Sequence, residues 1–436
     1  MNISQISNKF DFLNPEEITM LIKTILNHIE KHKSFVYTNI GSEKIYGKEA
    51  IVVDLKSRKN GKGICKTCKA TCAGYDSLSA RLYEYVPLWG IPVYFRYSPR
   101  RVTCPNHGIH VESVPWSDDN DQMTRSYKIF LAQWAKKLSW KEVALSFKTS
   151  WNRVYRAVKY VVEYGLEHQN LSGIKQIGVD EIKIFKGHKY LTLVYQLDKG
   201  VRRLLWCGKD RRVKTLLRFF RWFGKEKTKS LQYICSDMWK PYLKVIKKKT
   251  PNALNILDRF HIMKKFNEAI DDVRREEVKK LEKKEKKNVL HHGRWLLLKS
   301  PKNLSEKQST KISTLLKINL DSIKAYLLRE EFQKFWLYKR KGWADKFLED
   351  WATKSMQSDL APMKKVAKTL RRHKGLILNW FCVPGGLSSG PVEGLNAKAK
   401  VTMRKSYGFK TLGCLKIALY HTLGSLPDPP TTHKFR

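Results

Sequence analysis

The strand-like pattern between residues 173 and 257 constrains the fold of this chain more than any other feature of its sequence. Short runs rich in β-branched and aromatic residues alternate there with turn signals such as Asp198-Lys199-Gly200 and residues 186–188, which predicts antiparallel neighbours. The predicted elements are strands at 177–185, 190–197 and 201–207, a basic amphipathic helix at about 212–223, a strand at 231–235, a helix, and a strand at 253–257. Such a meander, extended by helix-linked strands, predicts one α/β sheet.

Two aspartates lie where open α/β sheets gather functional residues. Asp180 lies in the first strand, and Asp237 follows the fourth strand directly. Since side chains alternate across a strand, we expect Asp180 and its neighbour Glu181 to face opposite sides of the sheet, so that only one joins a given site, and we choose Asp180. Three strands, a helix, an acid-bearing strand, a helix and a strand form the order of a ribonuclease-H-like α/β fold. Isolated acids at strand ends are also common without any chemical role, so spacing alone leaves both interpretations open.

Carboxylates grouped in this way suit displacement at the phosphorus of a phosphodiester. That reaction gains from two Mg²⁺ ions about 3.5–4 Å apart, of which one activates the attacking hydroxyl and the other stabilises the leaving oxygen. Carboxylates are hard oxygen ligands, and a small number suffices because Mg²⁺ keeps water and binds substrate phosphate as well.

A third acid, Glu393, follows at a predicted helix start. Residues 388–396 have the pattern of a loop with helix-start signals, which places Glu393 in the first helical turn. An acid there also complements the helix dipole without any catalytic role. Asn396, Lys400 and Arg404 recur on roughly the same helix face, where they present donors to a phosphate backbone.

The charge of the chain indicates a polyanionic partner. Its 436 residues include 85 Lys plus Arg and 40 Asp plus Glu, a formal net charge of +45. With 42% hydrophobic and 11% aromatic residues the chain still buries cores of ordinary size, which excludes a disordered basic tail protein. The composition therefore predicts a folded protein that binds nucleic acid or another polyanion.

Four cysteines between residues 65 and 104 indicate a metal site within a strand-rich region that has predicted strands at 51–55, 82–86 and 93–97. Cys65 and Cys68 form one pair with two intervening residues, and Cys104 and His107 form another. Two such pairs on short turns supply the tetrahedral ligands of one structural Zn²⁺. The fourth ligand stays open, because Cys72 and His110 are rivals of His107. Alternatively, Cys68 and Cys72 fill a small core and His107 is a surface residue.

Basic residues accompany both amino-terminal modules. Arg96, Arg100 and Arg101 flank the cysteine pairs and would contact phosphates. Three helices are then predicted at 127–138, 140–147 and about 151–166, a helix-turn-helix pattern. The last helix has an inward apolar stripe of Val154, Ala157, Val158, Val161 and Val162, and its predicted DNA-facing residues are Asn152, Arg153, Arg156 and Lys159, with Tyr155 beside them. An ordinary helical bundle with a solvated basic face is the alternative.

Five short runs resemble the ISL-three group of insertion-sequence transposases, over nearly the whole chain. The runs are Gly178-Val179-Asp180-Glu181, Ser236-Asp237-Met238-Trp239-Lys240-Pro241-Tyr242, Leu257-Asp258-Arg259-Phe260-His261, Glu393-Gly394-Leu395-Asn396 and Tyr407-Gly408-Phe409. The resemblance implies a DDE transposase with a ribonuclease-H-like core, whose catalytic and metal-binding triad falls on Asp180, Asp237 and Glu393. Asp258 is a reserve candidate that supports the site rather than ligating metal.

The resemblance also implies cofactors and partners. The triad would hold two Mg²⁺ or Mn²⁺ ions, and the enzyme would bind the terminal inverted repeats of its element, cut DNA and join it to a target as a homodimer or larger assembly. Two departures concern ligands and loop details: His107 stands where the family often has cysteine, and Ser389 where asparagine is expected. An inactive DNA-binding regulator and a related ribonuclease-H-like nuclease are the alternative functions.

A long basic helical segment precedes the third acid. Its charge run at 279–287 is typical of a solvated helix face, and His291-His292 completes no metal site. Four tryptophans of this segment, Trp295, Trp336, Trp343 and Trp351, are predicted to pack between helices, with stacking on an exposed base as the alternative.

These patterns predict a multidomain α+β protein. Its predicted parts are an amino-terminal helix in 1–34, the zinc-binding module at 35–118, the helix-turn-helix at 122–170, the first part of the ribonuclease-H-like α/β catalytic core at 173–273, the helical insertion at 274–380 and the last part of the core at 381–436. No run approaches the ~20 apolar residues of a membrane span, and no leader pattern is seen. We therefore expect a soluble bacterial cytoplasmic protein, associated with the nucleoid.

Overall fold

The computed structural model describes residues 15–118, 121–185, 189–282, 294–299, 303–316, 320–383, 390–406 and 409–430. These residues form two compact units. The first contains the described residues up to Gln169 and those from Val401 onward, and the second contains those from Asn170 to Lys400. Five sequence features lie outside the described residues: the turn at 186–188, the charge run from 283, residues 291–292, Ser389, and the pair at 407–408.

The first unit combines two small sheets with helices. Its elements are α1 (Pro15–Ile29), β1 (Phe35–Ile45), β2 (Lys48–Ser57), β3 (Gly63–Ile64), β4 (Thr71–Ser77), β5 (Arg81–Leu88), β6 (Ile91–Tyr97), β7 (Arg100–Cys104), β8 (Gly108–Val111), α2 (Arg125–Lys137), α3 (Trp140–Ser146) and α4 (Trp151–His168), with α16 (Leu412–Leu423) near the carboxyl end. One sheet has the order β1-β2-β6-β5 and the other β3-β4-β7-β8. The three strands predicted in this region are confirmed within β2, β5 and β6.

The order of the second small sheet explains how distant cysteines meet. β4 pairs antiparallel with β7, so that Ala73 lies opposite Thr103. The start of β4 therefore lies beside the end of β7. The turn that follows β3 and the turn that follows β7 come together at that end of the sheet.

Three capped helices form the predicted trihelical pattern. Thr124, Ser139 and Ser150 accept backbone N–H groups at the starts of α2, α3 and α4, and Ser139 forms a capping box with Glu142. Such caps satisfy helix-start amides that have no partner inside the helix. The five apolar residues predicted to face inward on α4 are all buried, so this predicted stripe is confirmed.

The second unit is built on a five-stranded sheet. Its elements are β9 (Gln176–Phe185), β10 (Lys189–Gln196), β11 (Arg203–Lys209), α5 (Val213–Phe223), α6 (Lys225–Lys229), β12 (Tyr233–Ser236), α7 (Lys240–Lys249), β13 (Leu254–Leu257), α8 (Arg259–Glu282), α9 (Arg294–Leu298), α10 (Glu306–Leu316), α11 (Asp321–Gln333), α12 (Lys341–Gln357), α13 (Ala361–Arg372), α14 (Lys374–Leu378) and α15 (Gly390–Lys405), with 3₁₀ turns at Lys334–Leu337 and Asn379–Cys382. The five predicted strands are confirmed. β11 starts two residues later than predicted, because Val201 still belongs to the turn and donates its N–H to Asp198.

The strand order is β11-β10-β9-β12-β13, with β9, β10 and β11 antiparallel and β12 and β13 parallel to β9. Apolar residues of α5 and α7, such as Phe219 and Val245, pack against one face of the sheet. They form a core there with Val179 of β9. α15 approaches the other face so closely that a Cβ atom on Gly178 would lie 2.7 Å from Val392. The parallel strands β12 and β13 end at one edge, where Asp237 and Asp258 follow them, and β9 continues beyond that edge to Phe185.

The helices between β13 and α15 share their own core, in which Phe266, Phe332 and Trp351 are buried. Trp336 is buried too, so the packing predicted for these two tryptophans is confirmed. The prediction for Trp343 is wrong, because this side chain is 58% exposed. The inward positions of α12 are Ala344, Leu348 and Trp351, and Trp343 precedes this stripe. The side chain of Trp295 lies outside the described residues.

None of the helices that the structure describes has the length and apolar character needed to cross a membrane.

Candidate active site and metal centre

Carboxylates gather in a cavity at the edge where the parallel strands end. The cavity has a volume of about 410 Å³ and is lined by Asp180, Glu181, Tyr190, Arg211, Asp237, Met238, Trp239, His261, Lys264, Lys265 and Glu268. Strand β9, the loop after β12 and the first turns of α8 supply the acids. The structure thus brings the predicted Asp180 and Asp237 together.

The expectation that Glu181 lies away from the site of Asp180 is wrong. Both side chains line the cavity. The pairing between β12 and β9 ends at Ser236 and Val179. Beyond that point none of the described strands pairs with β9 on this side, and residues of both its faces, Asp180 and Glu181, line the cavity. Alternation across the strand therefore does not separate the two acids at this position.

An arginine joins two of the carboxylates. Arg211, in the loop after β11, lies 3.1 Å from the Glu181 carboxylate and donates to Asp237 at 2.5 Å. Its guanidinium also lies over the Trp239 ring, 4.5 Å from the centroid. Burial, and next the charge of Asp237, raise the pKa of Glu181 to about 8, although Arg211 opposes this shift. Sequence reasoning did not single out Arg211, since its only signal is a place in a basic turn.

Asp180 is held from the face that α15 covers. It is 9% exposed, and burial raises its pKa. One carboxylate oxygen accepts the Glu181 N–H at 2.8 Å, and the other accepts the side-chain amide of Asn396. Asn396 in turn accepts a hydrogen bond from the Tyr195 hydroxyl at 2.7 Å. The amide of Asn396, which was predicted to contact DNA, is therefore buried and used within the protein.

Glu393 lies on α15, one helical turn before Asn396. Its side chain is exposed. Residues three apart on a helix lie on neighbouring positions of one face. Glu393 is thus placed one turn from the residue that binds Asp180, and it is not among the residues that line the cavity. Lys400 and Arg404, further along α15, are exposed.

Asp258 and His261 form a pair beside these acids, in which Asp258 is buried and His261 is partly exposed. Asp258 accepts the Phe260 N–H at 2.7 Å, which caps the start of α8, and its second oxygen lies 3.0 Å from Nδ1 of His261. Burial alone would lower the pKa of His261, but the bond to Asp258 and the charge of Asp180 raise it. His261 lines the cavity and Asp258 does not, which agrees with a supporting position for Asp258.

The predicted cysteine and histidine pairs meet at the end of the β3-β4-β7-β8 sheet. The ligand atoms of Cys65, Cys68, Cys104 and His107 all lie within 4.8 Å of one another. Among the described residues this is the only group of three or more metal-ligating side chains that is so tight, and the acids of the cavity do not form one. The bond to His107 lowers the pKa of Cys104, which favours the thiolate that a metal ion requires.

Neither rival ligand belongs to this group, although Cys72 packs in one small buried cluster with Cys65 and Cys104. Cys72 is buried, and its thiol points to the carbonyl of Ala70 at 3.6 Å. His110 lies 3.0 Å from the carbonyl of Gly108 through Nδ1. The structure therefore groups His107, rather than Cys72 or His110, with the three cysteines.

Several of the predicted DNA-contacting residues already have partners. Arg100 pairs with Glu112 at 2.8 Å and Arg101 with Asp76, and Arg96 likewise binds Asp54. On α4, Arg153 pairs with Glu84 at 2.5 Å, Arg156 with Asp121 at 2.5 Å and Lys159 with Glu163 at 3.6 Å, whereas Asn152 is exposed. The long side chains of Arg156 and Lys159 are still exposed at their ends.

Comparison with known proteins agrees with this architecture. A family model for ISL3 DDE transposases, described as "Transposase", matches residues 177–419, more than half of the chain. The helix-turn-helix domain of transposase family ISL3 matches residues 112–162, which confirms the predicted helix-turn-helix.

Two relatives align along most of their length. The transposase for insertion sequence element IS1001 of Bordetella parapertussis is 27% identical over 350 residues, which cover 80% of this chain and 85% of that protein. The transposase for insertion sequence element IS1557 of Mycobacterium tuberculosis is 27% identical over 396 residues, which cover 85% and 88%. This chain therefore belongs to the ISL3 family of DDE transposases and carries the family's DNA-binding helix-turn-helix domain.

Proposed function

We propose that this transposase cuts and joins DNA at the cavity described above, with Asp180, Asp237 and Glu393 as its catalytic triad. The observation that carries the proposal is that Asp180 and Asp237 share one cavity, while Glu393 lies one turn from the asparagine that binds Asp180. The five-stranded order, with three antiparallel strands followed by two parallel ones, supports a ribonuclease-H-like core. The family implies a divalent metal ion.

The donors present fit Mg²⁺ or Mn²⁺. The cavity is lined by the carboxylates of Asp180, Glu181, Asp237 and Glu268, whose oxygens are the hard ligands that these ions prefer. Arg211 pairs with two of these acids and offsets part of their negative charge, and a bound cation would serve the same electrostatic purpose. When bound, two such ions would activate the attacking hydroxyl and stabilise the leaving oxygen.

Other residues of the site position these acids and the substrate. Asn396, held by Tyr195, fixes the carboxylate of Asp180. Asp258 orients His261 at the rim of the cavity. Lys264 and Lys265 line the same cavity and supply positive charge to a DNA phosphate. Water would attack first, at the ends of the element, and the liberated 3′-hydroxyl would then attack target DNA.

Zn²⁺ is the ion that we assign to the cluster of Cys65, Cys68, Cys104 and His107. Three cysteines and one histidine on two short turns are typical structural zinc ligands. The ion would hold the turn after β3 to the turn after β7. It would stabilise the amino-terminal module and would have no part in the chemistry.

This amino-terminal module and the helix-turn-helix would recognise the terminal inverted repeats of the element. Each transposition event must handle two ends, so we propose a homodimer or a larger assembly. Asn152, Arg153, Arg156 and Lys159 on α4 are the residues that we expect at base edges and phosphates.

A strand-joining assay tests the proposed function. DNA that carries both ends of the element is incubated with the protein, Mg²⁺ and a target plasmid. Nicked ends together with joined products support the proposal. Binding without cutting would instead identify a DNA-binding regulator, and cutting without joining would identify a nuclease.

Two substitutions on α4 should separate phosphate binding from base recognition. We expect Lys159→Gln to weaken binding to all sequences and to lower the slope of log K against log salt by about 0.9 for the one lost phosphate contact. Asn152→Ala should instead reduce discrimination at one base pair by about 1–3 kcal/mol. Fluorescence anisotropy with end DNA and a scrambled duplex, over a range of salt, measures both effects. Equal losses on both duplexes for Asn152→Ala would contradict its assignment to base recognition.

A methyl group at Gly178 should disturb the site through α15. The added Cβ atom would lie 2.7 Å from the Val392 side chain and 3.0 Å from that of Leu197, so these side chains must shift, and a shift of Val392 together with α15 would strain the bond between Asn396 and Asp180. We expect Gly178→Ala to lower cleavage about 10- to 100-fold, because small misplacements are costly in catalysis. Gly41→Ala is the control, since a Cβ there meets nothing within 4 Å. Failure of Val392→Ala to restore cleavage in Gly178→Ala would contradict this explanation.

A further inference from the structure

A groove lined by lysines lies between α5 and α7. Its volume is about 760 Å³. One side carries Lys240, Lys244, Lys248 and Lys249, and the apolar lining consists of Val213, Leu217, Pro241 and Val245. We call this feature the lysine groove.

The four lysines form an unneutralised row of positive charge. Lys240, Lys244 and Lys248 follow one another at intervals of four residues, so they lie on one helix face about 6 Å apart along the axis. All four side chains are exposed, and none has an ion pair or hydrogen bond with another residue in the part of the chain that the structure describes. Like charges at this spacing repel each other. A bound polyanion with regularly spaced charges would relieve that repulsion.

The lysine groove continues the cavity of the active site along both of its walls. On one wall, Arg211 lines the cavity and Val213, two residues later, lines the groove. On the other wall, Trp239 lines the cavity and the next residue, Lys240, lines the groove. A DNA strand that leaves the cavity beside Asp237 would therefore meet the groove next, beyond the contact between Arg211 and Trp239.

We propose that the lysine groove is a binding track for a single DNA strand on one side of the scissile phosphate. The inference rests on the proposed function of the cavity. The lysines would bind successive phosphates, as positively charged grooves that follow a single-strand backbone do, while the apolar lining would contact sugars and bases. The track would hold the flank in place and align the scissile phosphate with Asp180 and Asp237.

Substrates that differ only in flank length test this track. The full-length protein is given end DNA whose flank is either trimmed almost to the cleavage point or extended as a single strand, on each side in turn. We expect Lys244→Gln/Lys248→Gln to lower cleavage of one long-flank substrate about tenfold at moderate salt and to spare the trimmed one. The slope of log K against log salt for the long-flank substrate should fall by about 1.4, since each single-strand contact contributes about 0.7.

The matched control is Lys227→Gln/Lys247→Gln, which removes the same charge from exposed positions outside the groove. The proposed track would be overturned if both double variants cleave every long-flank substrate at the same rate. It would also be overturned if Lys244→Gln/Lys248→Gln loses as much cleavage on the trimmed substrate as on the long-flank one. A wild-type protein that cuts the trimmed substrate shows that the proposed function stands in that case. A wild-type protein that binds both substrates and cuts neither would overturn the proposed function and this inference with it.

Discussion

We expect a protein with Asp237→Asn to bind the ends of its element as tightly as the wild type and no longer to cut them. Asparagine keeps the oxygen that accepts the Trp239 N–H at 2.9 Å, so the loop after β12 retains its conformation. The substitution removes the negative charge that would hold a metal ion. Bound metal supplies several kcal/mol of transition-state stabilisation, and about 1.4 kcal/mol corresponds to a tenfold change in rate. We therefore expect a loss on the order of 10³-fold, measured as nicked DNA against time.

Parallel variants decide which acids form the triad. Asp272→Asn, at an exposed position of α8, is the matched control and should cut at the wild-type rate. Glu393→Gln should be as inactive as Asp237→Asn, and Glu181→Gln should retain more activity than either. If Glu181→Gln is inactive and Glu393→Gln is not, the triad assignment is wrong and Glu181 takes the third position.

We expect a protein with Cys104→Ser to lose the zinc ion that we assign to the cysteine cluster, and with it the fold of the amino-terminal module. Structural zinc contributes about 10–16 kcal/mol in zinc-finger peptides, whereas whole domains are stable by only about 5–15 kcal/mol. Cys104 is 2% exposed, so the serine that replaces it would also lie in a buried place. We expect about one zinc ion per chain in the wild type and almost none in the variant. Elemental analysis measures the metal, and protease digestion of the module measures its fold.

Cys72→Ala is the control for this experiment, because Cys72 is equally buried and outside the cluster. It should keep its zinc, and His107→Ala should not. If Cys72→Ala loses zinc and His107→Ala retains it, the fourth ligand is Cys72 and not His107. Treatment of the wild type with a chelator should reproduce the protease sensitivity of Cys104→Ser.

The local sequence pattern was sufficient to predict secondary-structure elements and individual metal ligands. The five strands of the second unit, the inward stripe of α4 and the burial of Trp336 and Trp351 agree with the pattern because each depends on period and hydrophobicity within a short segment. The two cysteine-containing pairs were predictable for a similar reason, since two intervening residues are the turn that a metal knuckle requires. Trp343 shows the limit, because one step around a helix moves a side chain from core to solvent.

The sequence alone determined the class of this protein: its basic charge, its helix-turn-helix and the motifs around Asp180, Asp237 and Glu393 indicated a DDE transposase before any fold was known. Only the tertiary structure decided which groups share the cavity. Glu181 joins Asp180 because β12 ends where β9 continues, and Arg211 reaches both Glu181 and Asp237 from a loop 26 residues before Asp237. The length of a strand and the path of a loop depend on packing between distant segments. A short stretch of sequence therefore does not predict them.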